Sequence, residues 1–190
     1  MRNVKWYGMI LPLLLASCLD VETMNITLFP DPGNVYEGRA RVEFINIHST
    51  EKEPGKNKKD MEEFFNEYRE YAVEISSSMG LRRQTNRLVN KKELSTDAEI
   101  EGEFEHLAAT LVWLLEKSQF RMEGSDGQFS FYRKNPLTEE GQVNLVIVYP
   151  GKIVAHNSAS FDAKTGTMRW SLNKAGDREI SFTIAASPSP

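Results

Sequence analysis

Residues 20–29 read DVETMNITLF and residues 39–45 read RARVEFI. Both stretches alternate. Met24, Ile26 and Leu28 fall on one side of the first, and Ala40, Val42 and Phe44 on one side of the second, with polar groups opposite. A period of two predicts half-buried strands, because successive side chains of a strand point to opposite faces. Pro30-Asp31-Pro32-Gly33 lies between them and is turn chemistry. The pair therefore reads as an antiparallel hairpin.

The same period returns downstream. It is clear in AEIEGEF (98–104), where Ala98, Ile100, Gly102 and Phe104 face inward and Glu99, Glu101 and Glu103 outward. Three like charges on one strand face call for cross-strand basic partners, and Arg39 and Arg41 are the candidates. Residues 119–122 and 128–132 flank Gly124-Ser125-Asp126-Gly127, a hairpin signal, and Asn135-Pro136 ends that hairpin. QVNLVIVY (142–149) is apolar enough for a central strand. Pro150-Gly151 breaks it before 152–156. DAKTG (162–166) and KAGD (174–177) turn into TMRWSL (167–172) and EISFTIA (179–185).

Two stretches carry helical spacing instead. Asp60 reads as an N-cap, with Glu63 at the third helical position completing a capping box. Met61, Phe64, Phe65, Tyr68, Tyr71, Ala72, Ile75 and Met79 then recur on one face, and Gly80 closes the segment. Polar residues 49–59, with Pro54-Gly55, read as a loop. Residues 106–117 form a second helix, with Leu107, Leu111, Leu114 and Leu115 as a stripe that Val112 and Trp113 widen. Residues 81–94 carry Arg82, Arg83, Arg87, Lys91 and Lys92 and show no clear period. Hairpin-linked strands with segregated helices predict an α+β fold. The expected architecture is an antiparallel sheet of about seven to nine strands with both helices on one face.

The 190 residues contain 23 basic and 27 acidic side chains and a single Cys. That length predicts one domain. One Cys excludes a disulfide framework and a cysteine-based zinc cluster. A net charge of −4 gives no footing for nucleic acid.

The N-terminus is the most informative part for function. Arg2 and Lys5 precede the apolar run WYGMILPLLLA (6–16), which is too short for the roughly 20 residues of a membrane span. The layout is that of a secretory signal peptide. It ends in Leu15-Ala16-Ser17-Cys18, which resembles the lipobox of bacterial lipoproteins. The resemblance implies cleavage before Cys18, a diacylglyceryl thioether on Cys18 and acylation (by palmitate-type chains) of the new N-terminus. Two or more chains anchor stably, at about 0.8 kcal/mol per buried CH₂. Residues 1–17 are then a signal peptide, 18–186 one domain and 187–190 a frayed tail. Without residues 1–17 the chain has 21 basic and 27 acidic residues. The expected location is the exported side of the cell membrane or outer membrane. Leu19, in place of Asp, permits outer-membrane transfer under the enterobacterial sorting pattern.

Two further stretches carry a second resemblance. Gly38-Arg39-Ala40-Arg41-Val42 follows Pro32-Gly33, and Tyr149-Pro150-Gly151-Lys152-Ile153-Val154 is followed by Gly166-Thr167-Met168-Arg169-Trp170. This pattern resembles the LppM-like domain of bacterial lipoproteins. It implies a curved sheet crossed by helices, similar to lipid-binding cups. Members of that family often end in a transmembrane helix, and no later run of 18 apolar residues occurs here.

Catalytic motifs are missing from the sequence. His48, His106 and His156 do not fall in a zinc spacing, and there is no G-x-S-x-G, P-loop or G-x-G-x-x-G. No metal or cofactor is expected, and the expected function is a non-catalytic binding or scaffold domain of the cell envelope. Its candidate ligands are a lipid or an envelope protein, met by Phe64, Phe65, Tyr68, Tyr71 and Trp113 with Arg82, Arg83 and Arg87 at the rim. The alternative is an exported hydrolase assembled from distant residues, for example His156 with Ser158 or Asp162.

Overall fold

The computed structural model describes residues 19–114, 120–125, 127–134, 142–172 and 179–186. Cys18, residues 115–117 of the expected second helix, the hairpin end at Asn135-Pro136, the turn at 174–177 and the tail at 187–190 lie outside the described residues.

The first hairpin is β1 (Leu19–Pro30) and β2 (Gly38–Ser49), registered so that Met24, Ile26 and Leu28 meet Phe44, Val42 and Ala40. Next come α1 (Pro54–Ser78), β3 (Leu81–Val89), β4 (Ser95–Phe104) and α2 (Leu107–Leu114). The remainder is β5 (Phe120–Ser125), β6 (Gln128–Lys134), β7 (Gln142–Val148), β8 (Lys152–His156), β9 (Ser160–Asp162), β10 (Thr167–Leu172) and β11 (Glu179–Ala185). The fold is α+β, as the pattern predicts. Its strands form two sheets rather than one. Seven are ordered β3-β4-β2-β1-β7-β10-β9 and four are ordered β5-β6-β11-β8.

The larger sheet is mixed, not purely antiparallel. β1 runs parallel to β7, with Ile26 opposite Leu145. Alternation fixes which face a strand buries but not which distant strand lies beside it, so the parallel seam leaves no local mark. Register places Met24, Ile26, Leu28, Val42, Ile100, Leu145, Ile147, Met168 and Trp170 on one face, all buried. α1 covers the β2-β4-β3 half of that face and the four-stranded sheet covers the β10 half, where Trp170 meets Phe182 with ring centroids 6.0 Å apart. The opposite face carries the polar set.

α1 begins seven residues earlier than the capping box at Asp60 predicts. Glu53 is its N-cap and Pro54 opens it, with the Lys56 and Asn57 N–H groups both on the Glu53 carbonyl. Pro suits a first helical position because the missing N–H has no partner there in any case. Pro54-Gly55 is therefore a helix start, not part of a loop. Asp60 sits inside the helix and accepts the Ser49 hydroxyl at 2.6 Å.

Residues 81–89 are a strand whose period is broken by a bulge. Arg83 has φ 47°, and the register with β4 shifts between Arg82 and Thr85. Leu81 faces inward, and the inward set then resumes at Gln84, Asn86 and Leu88. One inserted residue disrupts the alternation. Asn46 (φ 55°) does the same in β2, between Phe44 and Ile47.

Candidate functional site

The basic segment meets carboxylates on all three of its arginines. Arg82 pairs with Glu105, and Arg83 Nη1 lies 3.1 Å from Glu103 Oε2. Arg87 holds Glu99 in a fork, donating from Nε and Nη2 at 3.0 Å each. Arg41 grips the same carboxylate from β2. Register brings these groups together, since Arg41 lies opposite Glu101, Arg39 opposite Glu103, and Arg87 opposite Glu99. The glutamate face thus has the cross-strand partners its charge requires, including Arg87. Arg39 lies over the Phe29 ring, 5.7 Å from its centroid. Burial pushes the Glu99 carboxyl up, and the hydrogen bonds from Arg87 and Arg41 more than reverse it, so it sits below the usual glutamate range.

Most of the aromatic stripe of α1 is packed against the sheet. Phe64, Tyr68 and Tyr71 are buried, and Phe64 stacks on Tyr71 at 5.9 Å. Tyr68 donates to the carbonyls of Arg87 and Glu99, at 3.0 and 3.2 Å. Burial pushes its hydroxyl up to about 12. Tyr71 is pushed up to about 12 by burial and by the Glu67 carboxylate that accepts its hydrogen bond. Phe65 is half-buried, with the Lys91 ammonium 3.9 Å from its ring centroid. The Trp113 side chain lies outside the described residues.

One cleft, of about 290 Å³, opens elsewhere. Ser77, Met79, Gly80 and Leu81 form one wall, and Glu105, His106 and Ala109 the other, with Arg82 alongside. This is the far end of α1, where it turns into β3. Of the residues expected from the sequence to meet a ligand, only Arg82 lines this cleft.

The two parts of the second LppM-like stretch, 149–154 and 166–170, meet at Tyr149. Its N–H donates to the Gly166 carbonyl at 3.0 Å, and its buried hydroxyl donates to the Ala185 carbonyl at 2.5 Å. Burial raises that hydroxyl above the ordinary tyrosine value. A Cβ on Gly151 would lie 2.5 Å from the Tyr149 ring, and one on Gly166 would lie 1.9 Å from the Tyr149 carbonyl oxygen. Trp170 donates to Asn157 Oδ1 at 2.9 Å, and the same oxygen accepts the Ser181 N–H at 2.7 Å. These residues bolt the two sheets together. The signal in the sequence was an aromatic followed by two glycines, but nothing local says what the glycines make room for.

The groups of the hydrolase alternative only partly assemble. Ser158 Oγ lies 2.9 Å from His156 Nδ1, and the imidazole packs on Phe161 with centroids 4.4 Å apart. Asp162 does not join them. Its carboxylate accepts the Lys164 N–H and the Thr165 hydroxyl, which hold it below the usual aspartate range. His48 Nδ1 lies 2.8 Å from the Asn46 carbonyl. Among the described residues no cluster of three or more His, Cys, Asp or Glu is placed to hold a metal, and no helix is long and apolar enough to cross a membrane.

No family model and no curated protein matches the chain. Among solved structures it is similar to the NMR structure of the folded domain of the Mycobacterium tuberculosis protein LppM, with a TM-score of 0.49 and 10% identity over 99% of this chain and 97% of that one.

Proposed function

We propose that this chain is an exported bacterial lipoprotein, held at a membrane through Cys18, whose domain is a non-catalytic binding or scaffold module of the cell envelope. The observation that carries the reading is the Leu15-Ala16-Ser17-Cys18 sequence behind Arg2, Lys5 and a short apolar run, with the only Cys of the chain at the position to be acylated. Between a lipid ligand and an envelope protein, the packing favours the protein. Phe64, Tyr68 and Tyr71, three of the aromatics proposed to line a lipid cup, fill the space between α1 and the sheet.

The test is Cys18→Ser with cell fractionation and intact-mass analysis. The wild type is expected in the membrane fraction with the mass of a diacylglyceryl group, and the variant uncleaved or released. A variant processed and membrane-held like the wild type refutes the reading.

The 2.9 Å contact between Ser158 and His156 favours a hydrolase as the second reading. Its catalytic version requires Ser158 to react with a fluorophosphonate probe, and a Ser158→Ala variant to lose that labelling. Our reading expects no labelling in either.

A further inference from the structure

We infer that one end of the larger sheet rests on the bilayer. This surface is formed by the start of β1, the end of β2 and the β3–β4 turn. The inference rests on the lipid-anchor reading and extends it to which face of the domain the membrane touches.

The argument begins with tether length. Cys18 is adjacent to Leu19, and consecutive Cα atoms are about 3.8 Å apart. Leu19 is not part of a linker. It is the first residue of β1, nearly buried, and paired with Ser49. A lipid on Cys18 therefore holds this end of the sheet at the headgroup layer with no slack to reorient.

Register identifies what else lies at that level. His48 is opposite both Asp20 and Ser95, so Leu94 is one residue beyond the last β2–β4 pair and level with Leu19. Strands lie about 4.8 Å apart, which places Leu94 two strands and roughly 10 Å from the anchor. Leu94 is 44% exposed, an apolar side chain facing solvent in a turn otherwise made of Asn90, Lys91, Lys92 and Glu93. The start of α1 reaches the same end, because Lys58 bridges to Glu93 at 2.8 Å.

This end also presents exposed amines to phosphate headgroups. Glu93 is engaged by Lys58, Glu53 by Lys56 and Asp97 by Asn46 and Asn90. Among the described residues Lys52, Lys59 and Lys92 are exposed and meet no carboxylate. Asp20, Glu51 and Asp60, which accepts the Ser49 hydroxyl, are the other acidic groups at this end. An exposed leucine flanked by lysines is the composition of an interfacial contact, with the apolar group among the acyl carbons and the amines at the phosphates. The opposite end is then displayed. α1 has 25 residues and rises about 37 Å, so the cleft at Arg82, Glu105 and His106 stands at the end away from the bilayer, at most that far from it.

The experiment is hydrogen–deuterium exchange on the full lipidated protein in vesicles of phosphatidylethanolamine and phosphatidylglycerol, compared with the Cys18→Ser chain in solution. Amides of 49–53 and 90–95 are expected to exchange about tenfold more slowly on the vesicles, and those of 105–109 at an unchanged rate. A lipidated Leu94→Glu, Lys92→Glu variant should remain on the vesicles and lose the protection at 90–95. A chain that sediments with vesicles but shows no protection there, or shows it at 105–109, overturns this surface alone. A chain that carries no lipid and does not sediment overturns the anchor and this surface together.

Discussion

Gly166 and Gly80 have nearly the same φ, 63° and 67°, in quite different surroundings. Alanine at either costs about 1 kcal/mol for the left-handed conformation. At Gly80 nothing lies within 4 Å of the added Cβ, so the cost ends there. At Gly166 the Cβ would sit 1.9 Å from the Tyr149 carbonyl oxygen and 2.8 Å from its carbon. Relieving that overlap needs a shift of about 1 Å between two backbones, where no rotamer can yield. The shift loosens the Tyr149 N–H to Gly166 carbonyl bond and the adjoining Thr167–Val148 pair, adding about 2–4 kcal/mol. Gly166→Ala is therefore expected to cost about 3–5 kcal/mol and Gly80→Ala about 1. Urea titration followed by tryptophan fluorescence measures both, with the slope checked for constancy. Equal losses in the two variants would refute the steric argument and leave only the shared backbone strain.

Three other outcomes follow from the structure. The folded Glu99 carboxyl lies below its unfolded value, so its stabilisation is complete above the ordinary glutamate pKa of about 4.3 and is lost as pH falls through the folded value. Glu99→Gln should lower the urea midpoint at pH 7, and the gap to wild type should narrow at pH 3. Asn157→Ala removes the acceptor shared by Trp170 and Ser181 and the donor to the Glu179 carbonyl, and should cost about 2–3 kcal/mol in the same titration. Tyr68→Phe should cost about 1 kcal/mol by withdrawing the hydroxyl from the Arg87 and Glu99 carbonyls, and a loss above the cost of a cavity at that ring would show the hydroxyl is not the main term.

The hairpin, the helices and the buried face were legible because period and spacing are local properties. Met24, Ile26 and Leu28 lie on the core face as alternation predicts, and Phe64, Tyr68 and Ile75 do so by helical spacing. What failed was whatever a single residue can reset. Asn46 and Arg83, at positive φ, shift two strands by one place and hide the period of 81–89. Pairing across the chain was equally hidden. Arg82, Arg83 and Arg87 look like surplus charge when read along the sequence, because their glutamates lie 23, 20 and 12 residues away. The outer glutamates of β4 carried the better clue, since three like charges on one face required partners. Tyr149 illustrates the limit for motifs, whose glycines were visible while the ring and carbonyl they accommodate were not.

The place of β1 in the sheet has a consequence for how the molecule comes into being. β1 is the first strand in the chain, yet it lies in the middle of the larger sheet, between β2 and β7. Asn25 and Asn144, which share a hydrogen bond across that seam, are 119 residues apart. A chain emerging N-terminus first can close β1 on β2 at once, but the other edge of β1 stays open until β7 has emerged. Pairings this distant are slow to form, because loop-closure entropy comes before any contact is gained. The central seam of the sheet can therefore close only after β7 has emerged, well past the middle of the chain. A product cut short before Gln142 keeps an open edge at the centre of its sheet, with Met24, Ile26 and Leu28 beside it. That is the template on which strands of other chains add, so early truncation should give aggregates rather than a smaller domain.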